Sequence, residues 1–380
     1  MFEQLASPHL KRLVAYSPRP PIEEVEAELG IVGVAKLDSN ENPLGPSPLA
    51  IRAIRGAVRG SHRYPDGGGR VLKRGLADKL NLDPQHVILG NGSCELIDLC
   101  ARCFLDPEDE AIVADPSFMV YRRAAKATGA HLRPVPLKDY RHDLPEMARH
   151  IGPRTKLVFV GNPNNPTGTC VEPLELDTFI EQVPRNVVVL VDEAYYEYMP
   201  EGERPDVLRY VREGRPVLVL RSFSKIYGLA GLRIGYGMAP PGVIGILDRA
   251  RQPFNVNALA QAAASAALND MKHLSKSQRL NEAGKEYLYE QFQALGLAFI
   301  PTVANFILVD VGREGGAVAE NLVKKGVMVQ PMGRYGFRTH IRVTTGTPWE
   351  NERFISALRE VLEPLEALPE PPRFASPKLF

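Results

Sequence analysis

Seven short, almost uninterrupted apolar runs recur between residues 87 and 238, and segments with helical spacing separate them. They are Val87–Leu89, Ala111–Ala114, Leu132–Leu137, Leu157–Val160, Val187–Val191, Val217–Leu220 and Ile234–Met238. Continuous Val/Ile/Leu runs of this length fit strands buried on both faces. Alternation with helices implies a mostly parallel sheet with right-handed crossovers. The expectation is an α/β chain whose large domain holds a mostly parallel seven-stranded sheet between helices. After Gln261 the pattern changes. One long helical stretch covers 262–295. Strands follow at Phe306–Val309, Val327–Val329 and His340–Val343, with helices at Ala317–Lys325 and Asn351–Leu365, which predicts a smaller α+β domain. The division expected is an arm at 1–35, a large domain at 36–262, a small domain at 263–368 and a tail at 369–380.

Bulk properties exclude several functions. A length of 380 residues suits two domains, and 46 basic against 45 acidic residues leave a charge of +1, which argues against a basic nucleic-acid binder. No apolar run approaches the roughly 18 residues that a membrane span needs. The start, Met1-Phe2-Glu3-Gln4, carries acid where a signal peptide carries base. Cys94, Cys100, Cys103 and Cys170 are too few for a disulfide scaffold. Cys100 and Cys103 lie on one expected helix without a second pair, so they read as packing residues rather than metal ligands. The expected setting is the cytoplasm, with small-molecule partners and neither nucleic acid nor membrane.

Four local patterns carry chemistry, each at the C-terminal end of an expected strand, where α/β sheets bind ligands. The first is Arg221-Ser222-Phe223-Ser224-Lys225, followed by Gly228-Leu229-Ala230-Gly231-Leu232-Arg233. The second is Asp192-Glu193-Ala194-Tyr195, where an acid leaves an apolar strand and wants a cationic partner. The third is Asn162-Pro163-Asn164-Asn165-Pro166-Thr167-Gly168. The fourth is Leu89-Gly90-Asn91-Gly92-Ser93-Cys94, a glycine turn opening a helix that Ser93 could cap, where free N–H groups favour an anion. A lysine, an acid, hydroxyls, an arginine and a helix N-terminus in one crevice suit a phosphorylated cofactor with an aldehyde and a cationic ring nitrogen. That is the pyridoxal phosphate pattern.

These motifs resemble the class II branch of the fold-type I, pyridoxal 5'-phosphate-dependent aminotransferases, and within it the histidinol-phosphate aminotransferase family. Ser39-Asn40-Glu41-Asn42-Pro43-Leu44-Gly45, Tyr64-Pro65-Asp66-Gly67 and Arg251-Gln252-Pro253-Phe254-Asn255-Val256-Asn257 extend the match from about Leu13 to Leu362. The resemblance implies that Lys225 is the Schiff-base lysine and proton carrier, that Asp192 pairs with the ring nitrogen, and that Tyr195 and Asn165 bond the ring's phenolic oxygen. It implies that Phe118 stacks on the ring and that Gly92, Ser93, Cys94, Ser222, Ser224 and Arg233 bind the cofactor phosphate. Tyr64 would reach the site of a second subunit, which makes the protein a homodimer. For substrate it implies Tyr16, Asn165, Arg342 and position 330. Gln330 stands where the family usually has arginine.

The activity implied is transfer of the amino group of L-histidinol phosphate to 2-oxoglutarate in histidine biosynthesis. Gln330 keeps an aromatic amino-acid aminotransferase, or a dual-function enzyme, open as the alternative. Threonine-phosphate decarboxylase and a non-catalytic cofactor-binding regulator are the remaining readings.

Overall fold

The computed structural model describes residues 2–16, 18 and 20–363; the expected tail at 369–380 lies outside them. Its strands are β1 (Ala35–Lys36), β2 (Val87–Gly90), β3 (Glu110–Asp115), β4 (His131–Pro136), β5 (Thr155–Gly161), β6 (Val188–Asp192), β7 (Val217–Ser222), β8 (Gly235–Met238), β9 (Phe299–Ile300), β10 (Phe306–Asp310), β11 (Val327–Met328), β12 (Gln330–Pro331) and β13 (His340–Thr344). The seven apolar runs become one sheet, ordered β2-β8-β7-β6-β5-β3-β4. It is parallel except for β8, which runs against both β2 and β7. Val189, Val191, Val217 and Val219 enter one buried layer, and Val188, Leu190, Leu218 and Leu220 enter the other. Period-two alternation with both faces apolar is what a sheet covered by helices on each side demands.

β4 departs from the expected double burial. It forms the outer edge, and of its six residues only Val135 is buried. His131 N–H donates inward to the Asp109 carbonyl and Leu137 N–H to the Asp115 carbonyl. Residues of the other parity, Pro134 and Pro136 among them, therefore turn their nitrogens outward.

The helical stretch expected at 262–295 is two helices, Ala258–Ala267 and Met271–Ala294. The break has a local cause. The Asp270 carboxylate accepts the His273 N–H at 3.1 Å and caps the second helix, an arrangement that typically stabilises by about 1 kcal/mol.

A second, antiparallel sheet, β12-β13-β10-β9, packs with helices Gly315–Lys324, Pro348–Leu362 and Met271–Ala294 around Phe292, Leu322, Phe354 and Leu358. β1 straddles the boundary expected at residue 36 and pairs in parallel with β11. From β1 the chain crosses to the main sheet as a strap. Asn40 N–H donates to Thr344 Oγ1 at 2.9 Å, and Asn42 Nδ2 donates to the Ile226 carbonyl at 2.6 Å. The strap closes over the C-terminal ends of β6 and β7, and the chemistry lies beneath it. Among the described residues no helix is long and apolar enough to cross a membrane.

Candidate active site

Asp192 is the last residue of β6 and is buried. Tyr121 Oη donates to its Oδ2 at 2.8 Å, and Ala194 N–H donates to Oδ1 at 3.1 Å. Burial pushes its carboxyl up to about 6, while these two bonds and the charge of Lys225 pull the other way. The cation expected beside this acid is thus a phenol and a backbone amide in direct contact, with Lys225 acting across space.

Lys225 follows β7 by three residues. Its Nζ donates to the Ser39 carbonyl of the strap at 3.1 Å and lies 5.7 Å from the centre of the Tyr195 ring. The cleft desolvates the ammonium, Arg342 repels it, and together they lower its pKa to about 8. Tyr195 Oη accepts from Asn40 Nδ2 at 2.8 Å and Asn165 Nδ2 at 3.4 Å, and burial pushes the phenol up to about 12. Arg342, on β13, donates to Asn165 Oδ1 at 2.6 Å and to the Asp38 carbonyl at 2.8 Å. Gln330 faces Arg342 directly across the β12–β13 pair.

The glycine turn between β2 and helix Ser93–Phe104 forms one wall. Ser93 does not cap this helix as expected; it is its first residue, and Gly92, at φ +75°, takes the cap position. A Cβ at Gly92 would stand 2.4 Å from Arg233 Nη2, and one at Gly235 would stand 2.6 Å from Ser93 N. Only glycine lets this turn lie so close to Arg233 and β8. Opposite it, Ser222 Oγ accepts the Ser224 N–H at 3.0 Å, and Arg233 Nη1 donates to Ser224 Oγ at 3.4 Å. Burial raises the Cys94 thiol, which also feels Arg233, Asp192 and Lys225. Phe118 precedes helix Met119–Thr128 and meets Tyr121 edge-on at 5.6 Å.

One cleft therefore gathers Lys225, Asp192, Tyr195, Asn165, Arg342, Gln330, Phe118, Gly92, Ser93, Cys94, Ser222, Ser224 and Arg233. Two expected residues stand elsewhere in the single chain. Tyr64 is 83% exposed and stacks on Phe254 at 4.7 Å, and Tyr16 is 76% exposed on the N-terminal arm. Sequence reasoning gave no role to Tyr121, Asn40 or the buried pair Arg221–Glu193. For Tyr121 a signal existed, because it lies one helical turn after Phe118 and so shares its face.

The family model for aminotransferase class I and II matches residues 32–358. A curated relative from Moorella thermoacetica, named histidinol-phosphate aminotransferase, is 52% identical over 91% of this chain and 90% of its own length. Another, from Nitrosococcus oceani and named histidinol-phosphate aminotransferase 1, is 48% identical over 96% of this chain and 98% of its own. Among solved structures, histidinol-phosphate aminotransferase from Sinorhizobium meliloti in complex with pyridoxal 5'-phosphate superposes with a TM-score of 0.87. It is 28% identical and covers 94% of this chain and 97% of its own.

The cleft fits that cofactor. Helix N–H groups, two hydroxyls and Arg233 suit a phosphate, and the close approach at Gly92 and Gly235 shapes the cradle. A buried carboxylate suits a protonated ring nitrogen, and a desolvated lysine suits an aldehyde. Matched by the family model along most of its length and by relatives about half identical to it, the chain belongs to the class I and II aminotransferases, enzymes that depend on pyridoxal phosphate.

Proposed function

We propose that this enzyme moves the amino group of L-histidinol phosphate to 2-oxoglutarate, in histidine biosynthesis, as a cytoplasmic homodimer. What carries the reading is the convergence of Lys225, Asp192, Tyr195 and Arg342 under one strap. The names of relatives at 48–52% identity support the substrate. We also read 36–262 as the lobe that carries the cofactor groups and 263–368 as the lobe that carries Arg342.

Pyridoxal phosphate, when bound, supplies an aldehyde that takes the amino group and a ring that draws electrons from the substrate carbon. Asp192 would hold the ring nitrogen protonated. Tyr195 Oη, which accepts from Asn40 and Asn165, would donate to the ring's phenolic oxygen. Lys225 Nζ would take up and hold the proton that leaves the substrate carbon, for which a lysine desolvated to about 8 is suited. Arg342 offers a planar fork to substrate carboxylate or phosphate. The stacked, exposed pair Tyr64–Phe254 supports a second copy seated beside it.

The neutral form of Lys225 is the one that attacks an aldehyde. Uptake of pyridoxal phosphate by the cofactor-free chain therefore quickens as pH rises and levels off above about 8. Stopped-flow absorbance checks this, and a rate that is flat between about pH 6 and about pH 9 contradicts it.

A half-reaction comparison tests the substrate. The loaded enzyme is titrated with histidinol phosphate and with phenylalanine while the visible absorbance of the bound cofactor is followed. The reading expects kcat/KM for histidinol phosphate to be larger by on the order of 100-fold, about 2.7 kcal/mol in transition-state binding. Equal values, or preference for phenylalanine, overturn it in favour of the aromatic enzyme. The position of Gln330 beside Arg342 is the observation that favours this second reading, because a neutral amide stands where a substrate phosphate would meet a charge. Gln330→Arg is expected to raise kcat/KM for histidinol phosphate by about 10-fold or more, since a charge-assisted hydrogen bond contributes about 1.5–3 kcal/mol. Phenylalanine should gain nothing.

A further inference from the structure

On the face of the main sheet opposite Asp192 lies a buried charge that the reaction does not use. Arg221 is the fifth residue of β7 and is 6% exposed. Its Nε donates to Glu193 Oε2 at 2.8 Å, and its guanidinium lies 3.5 Å above the centre of the Tyr196 ring. Glu193 is itself buried, and the carboxylate of Glu197 adds to the field at Arg221.

The sequence positions of these partners are what matter. Glu193 directly follows Asp192. Tyr196 directly follows Tyr195. Arg221 directly precedes Ser222 and stands four residues before Lys225. Successive strand residues point to opposite faces. Asp192 therefore shares the face of Leu190 and Ser222 that of Leu220, while Arg221 shares the face of Val219. The link between β6 and β7 ends at Glu193 N–H donating to the Leu220 carbonyl at 2.8 Å. Past that bond, no ladder fixes the two strand ends against each other.

We propose that Arg221 is a positioning residue, which grips Glu193 and Tyr196 from the far face and so sets Asp192, Tyr195 and the Ser222–Lys225 turn in mutual register. A buried ion pair is weak support for stability, because desolvation offsets much of its attraction. What it supplies is direction. Two apolar side chains of similar volume would fill the same space, yet they would not fix where the strand ends point. A misplacement of about 1 Å in a reacting group costs on the order of 100-fold in rate.

The proposal rests on the reading that Asp192 and Lys225 face the cofactor, and the experiment separates the two. Loaded enzyme is prepared as wild type, as the double variant Arg221→Met with Glu193→Met, as Arg221→Lys and as Asp192→Asn. The readouts are kcat, KM, the dissociation constant of pyridoxal phosphate and the pH midpoint of the bound cofactor's visible absorbance. The double variant is expected to fold and to lose about 10- to 100-fold in kcat, with KM changed by less than about threefold. Its absorbance midpoint should move by about one pH unit, and Arg221→Lys should recover part of both losses. Unchanged kcat and midpoint in the double variant overturn the proposal, whatever happens to thermal stability. If the double variant does not fold, Arg221→Lys decides: wild-type kcat and midpoint overturn the proposal, and a shift in both supports it. Should Asp192→Asn leave the midpoint in place, the site reading itself fails. Should it move the midpoint while the Arg221 variants do not, only the positioning role fails.

Discussion

Lys225→Ala lowers kcat by about 10⁴-fold or more, the upper end of what a positioned proton carrier contributes. The chain should still fold, because the side chain reaches from the cleft wall and, among the described residues, makes one hydrogen bond, to the Ser39 carbonyl. Its surroundings suit the proposed role. Burial and the nearby Arg342 bring its amine to about 8, where a proton can be taken up and given back near neutral pH. Adding a small primary amine such as methylamine should restore part of the rate, since a free base can enter the space that alanine leaves. Steady-state kinetics check the loss and the rescue together. Activity within about 10-fold of wild type would remove Lys225 from the mechanism.

Asp192→Asn should act in opposite directions on rate and stability. If Asp192 holds the ring nitrogen charged as proposed, loss of the carboxylate should lower kcat by about 10²- to 10³-fold, as for other single electrostatic stabilisers. The stability effect follows from linkage. Burial pushes the folded carboxyl up to about 6 from an ordinary value of 3.8, so between those values the folded chain holds a proton that the unfolded chain has lost. The stability of the cofactor-free chain therefore falls as pH rises from about 4 to about 6, by up to about 3 kcal/mol, and stays lower above that. Asparagine keeps the shape without the buried charge: its Oδ1 can accept the Ala194 N–H and its Nδ2 can donate to Tyr121 Oη, which turns to accept. Cofactor-free Asp192→Asn should accordingly unfold at a higher temperature than wild type above about pH 6, and at a similar one near pH 3.5. Calorimetry at both pH values checks this; a variant less stable at neutral pH contradicts the assigned cost of burying Asp192.

Much of this site is legible along the chain because its signals are local. A strand end, a glycine turn and a lysine with hydroxyls at i−1 and i−3 are short patterns, and each lies where its strand stops. What could not be read is contact between distant segments. Tyr121 reaches Asp192 across 71 positions, and Arg342 reaches the Asp38 carbonyl across 304. No period or turn residue encodes such pairings; they follow from which helix covers which strand. The break at Leu268–Asp270 is a different failure. The Asn-Asp capping signal was present, and helical spacing on both sides concealed it. β4 looked like an inner strand because Leu132 and Val135 are apolar, and only its place in the sheet order leaves the rest exposed.

That edge strand has a consequence for how molecules of this protein meet. A sheet margin with free donors invites another chain to add a strand. On β4 the outward nitrogens at 134 and 136 belong to prolines, which have no hydrogen to offer. An incoming strand would find one outward donor, at Leu132, and then two gaps. Growth of the main sheet into ribbons or aggregates is closed off on this side, during folding as well as after it. Another molecule that meets this edge finds side chains to pack against and no run of donors along which to extend the sheet.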